Sequence, residues 1–328
     1  MPNVIGWYGH KNVGDESYKI SFPKVFPASK FQFHPSQSND DSIAILGGGD
    51  ILDEKFVSKL LDQPAKKRYA ISVSANSNSP VHLLDKVDGI WVRDYESVKF
   101  LNKHGITATY MPDVSTCLTG SPVNGNRLIE RYYENEKLEL YGKKVGIVFS
   151  SYLCSGKSDM LARDHITFNK VVSDLGSIID STSASFIFFP MSTGMPHDDR
   201  VTNGFLANQC KFWKKNYVVY DRLNVCDTVD LIAACDVIIS TRLHASIFAL
   251  NNNVPFIDIT HHDKNLKFLK TINHKYTASY WNMDRNLMKN MLQNLIGDAT
   301  VYKEELCKTH AYHLKILESE SANVYFGQ

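Results

Sequence analysis

Short apolar runs alternate with segments of helical periodicity along most of the chain. Polar or glycine-rich turns follow most of these runs, at 4–7, 42–46, 69–73 and 89–92 in the first half and at 144–149, 185–189, 217–220, 237–239 and 255–259 in the second. Helical patterns such as 51–61, 95–103 and 166–179 lie between them. A strand-then-helix order of this kind predicts an α/β fold with parallel sheets covered by helices.

The alternation is interrupted between about residues 118 and 143. Residues 119–126 are rich in Gly, Pro, Ser and Asn, which is typical of a loop, and 128–140 form a charged segment of helical character. A chain of 328 residues is long enough for two cores. We therefore predict two Rossmann-like domains that face a cleft, with these bounds: 1–125, a linker at 126–143, 144–284, and C-terminal helices with a tail at 285–328.

Composition excludes several classes of function. The formal net charge of +1 gives no strong attraction to nucleic acid or to anionic lipid. No apolar run approaches the roughly 20 residues of a membrane span, and the first residues do not resemble a secretory signal, so we expect a cytoplasmic protein. The six cysteines form no C-x-x-C pair, which argues against a zinc site and a disulfide framework. The sequence leaves a homo-oligomer open.

The segment STRLHASIFAL at 240–250 carries the clearest chemical signal. Arg242 and His244 stand where an apolar strand ends and a helical pattern begins, and that is where open α/β sheets bind their ligands. A guanidinium binds anions with two parallel hydrogen bonds, and an imidazole exchanges protons near neutral pH. The pair therefore predicts an anion site with acid–base chemistry. The alternative is a surface arginine and a hydrogen-bonded histidine at a helix start.

Two glycine-rich turns follow strands of the first half. The first, Gly6 to Glu16, offers Gly9, Asn12 and Gly14 as ligand contacts and Asp15 as an acid–base group or a helix cap. The second consists of three glycines whose backbone N–H groups form a candidate anion nest, followed by an aspartate: Gly47, Gly48, Gly49 and Asp50. Each turn has a purely structural alternative, a tight strand-to-helix connection.

Other strand ends supply further candidates. Arg93 and Asp113 each follow a strand in the first half and are open to a ligand contact or to a structural role. Ser192 and Thr193 lie in a polar strand-to-helix loop whose Asp198–Asp199 we interpret as a helix cap.

A second group of polar residues follows the strand at 255–259. Adjacent histidines on a strand point to opposite faces, so His261 and His262 do not predict a metal site. Lys264 is a candidate anion ligand. We predict no metal and no cofactor.

Taken in order, these blocks resemble the polysaccharide pyruvyl transferase family. The resemblance runs from about residue 4 to residue 270 and rests on the glycine stretch that ends in GDE, the GGG turn, R-D-x-x-S at Arg93, P-D at Asp113, R-x-H-A at Arg242, V-P at Val254 and the lysine Lys264. The chain departs from the family pattern at 74–80, where SANSNSP replaces a glycine-rich segment, which predicts altered donor or acceptor specificity.

The resemblance implies a GT-B-like fold and a transferase that uses no cofactor. Characterised members move the pyruvyl group of phosphoenolpyruvate onto two hydroxyls of a sugar as a cyclic ketal, so the partner would be a sugar or glycan acceptor. By this resemblance Arg242 would hold the donor anion, His244 would be the general acid–base, and Asp15 would act on the hydroxyl side. The first domain would then bind the acceptor and the second the donor.

The same residues are compatible with two other functions. The runner-up is a nucleotide-sugar-dependent glycosyltransferase in which Arg242 and Lys264 hold a diphosphate. The third is a non-catalytic protein that keeps the fold and binds a sugar or an anion, because a fold does not settle a function.

Overall fold

A computed structural model describes residues 1–33, 43–150, 158–194, 197–324 and 326, without the side chains of 158–164. Across these residues the strands form two six-stranded sheets, one from each half of the chain, and every strand pair within them is parallel. The predicted α/β class with parallel sheets in two halves is confirmed.

The first sheet has the strand order β2-β1-β3-β4-β5-β6. Its strands are β1 (Asn3–Ile5), β2 (Gln32–Phe33), β3 (Ile43–Gly49), β4 (Lys67–Val73), β5 (Gly89–Val92) and β6 (Thr109–Tyr110). All seven residues of β3 are buried, as expected for a central strand of a parallel sheet.

The second sheet has the order β12-β11-β10-β7-β8-β9. Its strands are β7 (Lys143–Val148), β8 (Ala184–Phe188), β9 (Asn216–Val218), β10 (Val237–Ser240), β11 (Phe256–Thr260) and β12 (Thr277–Ser279). Read from β9, this is the order 3-2-1-4-5-6 of the Rossmann fold.

Each sheet has a point where its strand order reverses. In the first sheet this point lies between β1 and β3, and in the second between β7 and β10. Ligands of open α/β sheets bind beyond the carboxyl ends of strands at such points, because the loops on either side diverge and leave a crevice. The fold thus predicts a site built from the loops after β1 and β3 and the loop after β10.

Helices connect the strands. Their bounds are α1 (Val13–Val25), α2 (Glu54–Leu61), α3 (Val81–Leu84), α4 (Tyr95–Lys103), α5 (Pro122–Asn135), α6 (Ser158–Asp180), α7 (Asp199–Asn208), α8 (Val225–Ala234), α9 (Leu243–Asn251), α10 (Asp263–Thr271), α11 (Arg285–Gly297) and α12 (Thr300–Asn323). None of the helices in the described ranges is long and apolar enough to cross a membrane.

Helix α5 corrects the expected loop at 119–126. It begins at Pro122, with Ser121 as its N-cap accepting a hydrogen bond from the Asn124 N–H. Gly125 packs against the backbone of α8 so closely that a Cβ would collide with the Asp230 carbonyl. Proline at the first helical position and glycine where two helices cross closely are both compatible with a helix, although both residue types are common in loops.

The C-terminal helix α12 returns to the first half of the chain. Leu317 is buried in the hydrophobic cluster beneath β3 and β4, and the His310 Nε2 lies 3.0 Å from the Thr116 carbonyl oxygen. The predicted domain bounds stay a prediction. The five cysteines within the described ranges are free thiols, and Cys154 lies outside those ranges.

Candidate active site

A polar cavity of about 70 Å³ lies where the two sheets face each other. Its wall comes from the loops after β1, β3 and β5 in the first half and after β8, β10 and β11 in the second. The lining residues are Asn12, Asp15, Gly49, Asp50, Arg93, Met191, Thr241, Arg242, Leu243, His244, His261, His262 and Lys264. The cavity therefore occupies the strand-order reversal of both sheets.

Backbone hydrogen bonds close the two halves around this cavity. The Val13 N–H donates to the Met191 carbonyl at 2.7 Å, and the Thr193 N–H donates to the Lys11 carbonyl at 3.0 Å. A Cβ on Gly194 would collide with the His10 carbonyl. The loop after β1 and the loop after β8 thus form one continuous wall.

Helix α1 presents Asp15 to the cavity from its first turn. Asn12, not Asp15, caps the helix, because the Asn12 side chain accepts the Gly14 N–H at 3.0 Å. No hydrogen-bond donor of the described residues reaches the half-buried Asp15 carboxylate. Burial raises the pKa of Asp15 to about 6, against the opposing charges of Lys264 and Arg93. The carboxylate is therefore poised to exchange a proton near neutral pH.

Arg93 enters the cavity from the end of β5 and is held on three sides. Its Nη1 donates to Asp113 Oδ2 at 3.0 Å and to the Tyr18 hydroxyl at 3.1 Å, and its Nε donates to Ser74 Oγ at 2.9 Å. Asp113 also caps the turn after β6 by accepting the Ser115 N–H. Arg93 thus has the structural role as an ion-pair partner, and because it also lines the cavity its contact with a ligand stays a prediction.

His244 lies in the first turn of α9, against this same cluster. Its Nε2 is 3.2 Å from the Tyr18 hydroxyl and 3.8 Å from Asp113 Oδ2, and the Tyr18 hydroxyl donates to Asp113 at 2.7 Å. A Cβ on Gly14 would collide with the imidazole, so only glycine permits this approach. Burial lowers the pKa of His244 to about 4, although Asp113 opposes the shift. The imidazole is therefore neutral at pH 7.

Arg242 is oriented by a buried carboxylate of the second half. Its Nη2 donates to Asp199 Oδ1 at 2.6 Å, and its Nε lies 3.2 Å from both Asp199 oxygens. Asp199 is 1% exposed, and it also accepts the backbone N–H groups of Met191 and Ser192. Among the described residues, Nη1 of Arg242 has no partner. The pair fixes the guanidinium and leaves one edge for a ligand.

Lys264 adds a third cation to the cavity wall. Burial lowers its pKa, and the nearby charges of Asp50 and Asp15 oppose that shift. Within the described residues, no carboxylate lies within ion-pair distance of its ammonium. A cation in this setting favours an anionic ligand, because a bound anion would compensate the charge.

His261 and His262 correct the expectation that they face opposite sides. They follow β11 rather than lie on it, and their ring centroids are 4.2 Å apart on the cavity wall. Burial lowers the pKa of His261 to about 3 and that of His262 to about 2. In the part of the chain that the structure describes, no group of three or more His, Cys, Asp or Glu side chains is arranged to hold a metal ion.

Several predicted contacts do not line the cavity. The glycine residues instead permit close packing or a turn, and Ser192 and Thr193 are buried in the closure between the halves. The predicted contact residues that are absent from the cavity lining are Gly9, Gly14, Gly47, Gly48, Asp113, Ser192 and Thr193. Gly48 adopts a φ of +75°, and a Cβ there would collide with the Tyr18 ring. The GGG segment therefore lets β3 pass Tyr18, and only Gly49 and Asp50 reach the cavity.

Three supporting residues were not predicted. Tyr18 joins Arg93, Asp113 and His244, Ser74 positions Arg93, and Asp199 orients Arg242. Asp199 has a partial local signal, because it stands beside the cap residue Asp198. Tyr18 and Ser74 give no local signal, because their partners are distant in the chain.

The comparisons with solved structures describe the fold. A glycosyltransferase from Rickettsia africae superposes with a TM-score of 0.63 at 10% identity, over 98% of this chain and 97% of that one. S. aureus MnaA in a co-structure with UDP gives 0.62 at 8% identity, over 93% and 91%. The UDP-GlcNAc 2-epimerase from Neisseria meningitidis gives 0.55 at 9% identity, over 96% and 98%. The two-domain GT-B-like fold is confirmed.

The sequence comparison identifies the family. No curated protein matches the chain significantly. The profile of the polysaccharide pyruvyl transferases matches residues 5–263. This range contains every residue that lines the cavity except Lys264. The chain is a transferase that belongs to the polysaccharide pyruvyl transferase family.

Proposed function

We propose that the protein transfers the pyruvyl group of phosphoenolpyruvate to two hydroxyls of a sugar and forms a cyclic ketal. The observation that carries this proposal is one small cavity that collects three cations and two proton-exchanging groups, Arg93, Arg242, Lys264, His244 and Asp15. Phosphoenolpyruvate carries its carboxylate and its phosphate as substituents of one carbon, C2, and the reaction needs both anion binding and proton transfer.

The cations suit the two anionic groups of the donor. Arg242 has an uncommitted edge and its Asp199 support, so it serves as the bidentate clamp for the carboxylate or the phosphate. Lys264 serves as the second contact, a point charge for the other anion. Arg93 is 5% exposed and contributes its charge mainly through the field it creates.

The protons follow a balanced route. A bound donor anion favours the imidazolium form of His244, with Tyr18 and Asp113 beside it, and His244 then gives a proton to the methylene carbon of phosphoenolpyruvate. The first sugar hydroxyl attacks the cationic C2 and passes its proton to Asp15. Phosphate leaves C2 with the C–O electron pair, and the second hydroxyl attacks C2 and returns a proton to His244. Asp15 releases its proton to phosphate or water.

Cavity size favours this donor over a nucleotide sugar. A volume of about 70 Å³ is several times what one water molecule requires and suits a donor of few atoms. A complete nucleotide sugar would have to lie largely outside it. The GT-B-like neighbours support the fold and carry no information on the donor of this chain.

The direct test is a donor screen with a histidine variant. Phosphoenolpyruvate or UDP-hexoses would be incubated with a glycoside panel, with phosphate or UDP release and product mass as readouts. We expect phosphate release and a mass gain of pyruvate less water, and a loss of about 10²- to 10⁴-fold in His244→Asn. His104→Asn, at the end of α4, is the matched control. UDP release, or full turnover by folded His244→Asn, would contradict the proposal.

A further inference from the structure

The loop after β1, which continues into the cavity-lining residue Asn12, exposes a tryptophan. Trp7 is 41% exposed, and the His10 ring stacks on it with centroids 3.7 Å apart and planes 11° apart. The Phe56 ring meets the indole edge-on at 6.3 Å. What distinguishes Trp7 from other exposed apolar side chains is its stacked and edge-on aromatic support, which offers a flat surface on which the apolar face of a ligand can pack.

The loop that presents Trp7 is fixed at several points. The Tyr8 hydroxyl donates to the Gly47 carbonyl, and the Gly9 N–H donates to Glu16 Oε1 at 2.5 Å. Gly9 and Lys11 adopt positive φ values of +81° and +58°. These contacts turn Tyr8 inward and leave Trp7 outward. The aromatic stack is therefore held in place before any ligand arrives, which lowers the entropic cost of binding.

The stack is connected through the chain to residues that line the cavity. The same loop continues into Asn12 and Asp15, which line the cavity, and Phe56 stands in the first turn of the helix that follows Asp50, another lining residue. The His10 carbonyl touches the loop after β8 at Gly194. The stack is thus carried by a loop that reaches the cavity wall, and it packs on the helix that follows another lining residue, both in the first half of the chain.

We propose that the Trp7–His10 stack is the platform on which the pyranose ring of the acceptor lies during pyruvyl transfer. The inference rests on the proposed function. A cavity of about 70 Å³ holds the donor but not a glycan, so the acceptor ring must lie at its rim. The C–H face of a pyranose carries slight positive charge and packs on the negative face of an indole. Asp15 would then meet the hydroxyls at the edge of that ring.

The test compares variants of two tryptophans in steady-state kinetics. The acceptor is the best wild-type substrate among p-nitrophenyl β-D-galactoside, β-D-mannoside, β-D-glucoside and β-D-N-acetylglucosaminide. We expect Trp7→Ala to raise the KM for this glycoside about tenfold and to leave the KM for phosphoenolpyruvate unchanged. Trp7→Phe should recover most of the loss, whereas Trp7→Leu, which keeps apolar bulk without a π face, should not.

Trp213→Ala is the matched control, because Trp213 is 63% exposed and lies before the amino end of β9, away from the cavity. An unchanged acceptor KM in Trp7→Ala, or full recovery in Trp7→Leu, would overturn the platform and leave the proposed function standing. A wild type that releases no phosphate with any of the four glycosides would overturn the proposed function and the platform with it.

Discussion

The cavity receives one arginine from each half of the chain, and each is held by a buried aspartate. The Arg93 side chain is 5% exposed and shares Asp113 with Tyr18, whereas the Arg242 side chain is 21% exposed and has Asp199 as its main partner. Although burial alone would raise it, His244 and Arg93 hold the pKa of Asp113 below its usual value. The same type of ion pair therefore occurs in two settings: Arg93 is enclosed beside His244, whereas Arg242 keeps part of its guanidinium exposed to the cavity.

Of the variants that test the difference between the two arginines, Arg242→Lys should lose the most activity. The lysine keeps a charge near Asp199 but loses the planar guanidinium, which can bind Asp199 on one edge and a donor anion on the other. We therefore expect kcat/KM for phosphoenolpyruvate to fall about 10³-fold. The melting temperature should change little. Phosphate-release kinetics and thermal unfolding check both expectations, and a loss below tenfold in kcat/KM would rule out Arg242 as the donor clamp.

Asp15→Asn tests the proton-exchanging group on the first-half side. As a base, Asp15 acts in its ionised form, so wild-type kcat/KM should fall as pH drops below the Asp15 pKa of about 6. We expect a loss of about 10²-fold at pH 8. The phosphate of the donor titrates near the same pH, so the measurement is the ratio of wild type to variant.

That ratio cancels the titration of the donor, because both enzymes use the same substrate. With increasing pH, the ratio of wild-type to variant kcat/KM should rise about tenfold per unit up to pH 6 and become constant above pH 7. A ratio that is flat from pH 5 to pH 8 would show that Asp15 does not act as a base.

Arg93→Lys should have the smallest effect on catalysis. Its main effect should be on stability, in contrast to Arg242→Lys. The lysine loses the hydrogen bonds to Ser74 and Tyr18, and its ammonium is buried. We expect a loss of about 3 kcal/mol in the free energy of unfolding, with kcat/KM reduced about tenfold. Urea unfolding beside kinetics separates the two. If Arg93→Lys lost activity as Arg242→Lys does and kept its stability, the two arginines would have the same role.

Much of the fold could be predicted from local patterns. The buried runs of the central strands are long enough to recognise, and Asp94 with Tyr95–Lys103 shows the cap and periodicity of α4. The edge strands β2 and β12, with two and three residues, were missed because so short a run has no periodicity. The start of α5 was missed because its proline and glycine were interpreted as loop residues.

The candidate site divides in the same way. Arg242, His244, Asp15 and Lys264 stand at strand ends and helix starts, where the sequence indicates ligand contacts, and the structure brings all four to one cavity. Ser192 and Thr193 have the same local signal and are instead buried between the halves. A polar residue at a strand end is therefore a candidate, and the packing of the loops decides whether it faces a ligand.

The sequence by itself determined the α/β class, the two halves and the residue types of the chemistry, because hydrophobic periodicity and strand-end motifs are local properties. Only the tertiary structure decided which aspartate holds which arginine. The Arg242–Asp199 and His244–Tyr18 contacts join residues 43 and 226 positions apart, and no local pattern specifies such pairs. It also decided the protonation of His244 and Asp15, since burial sets their pKa values and burial is a property of the closed cavity.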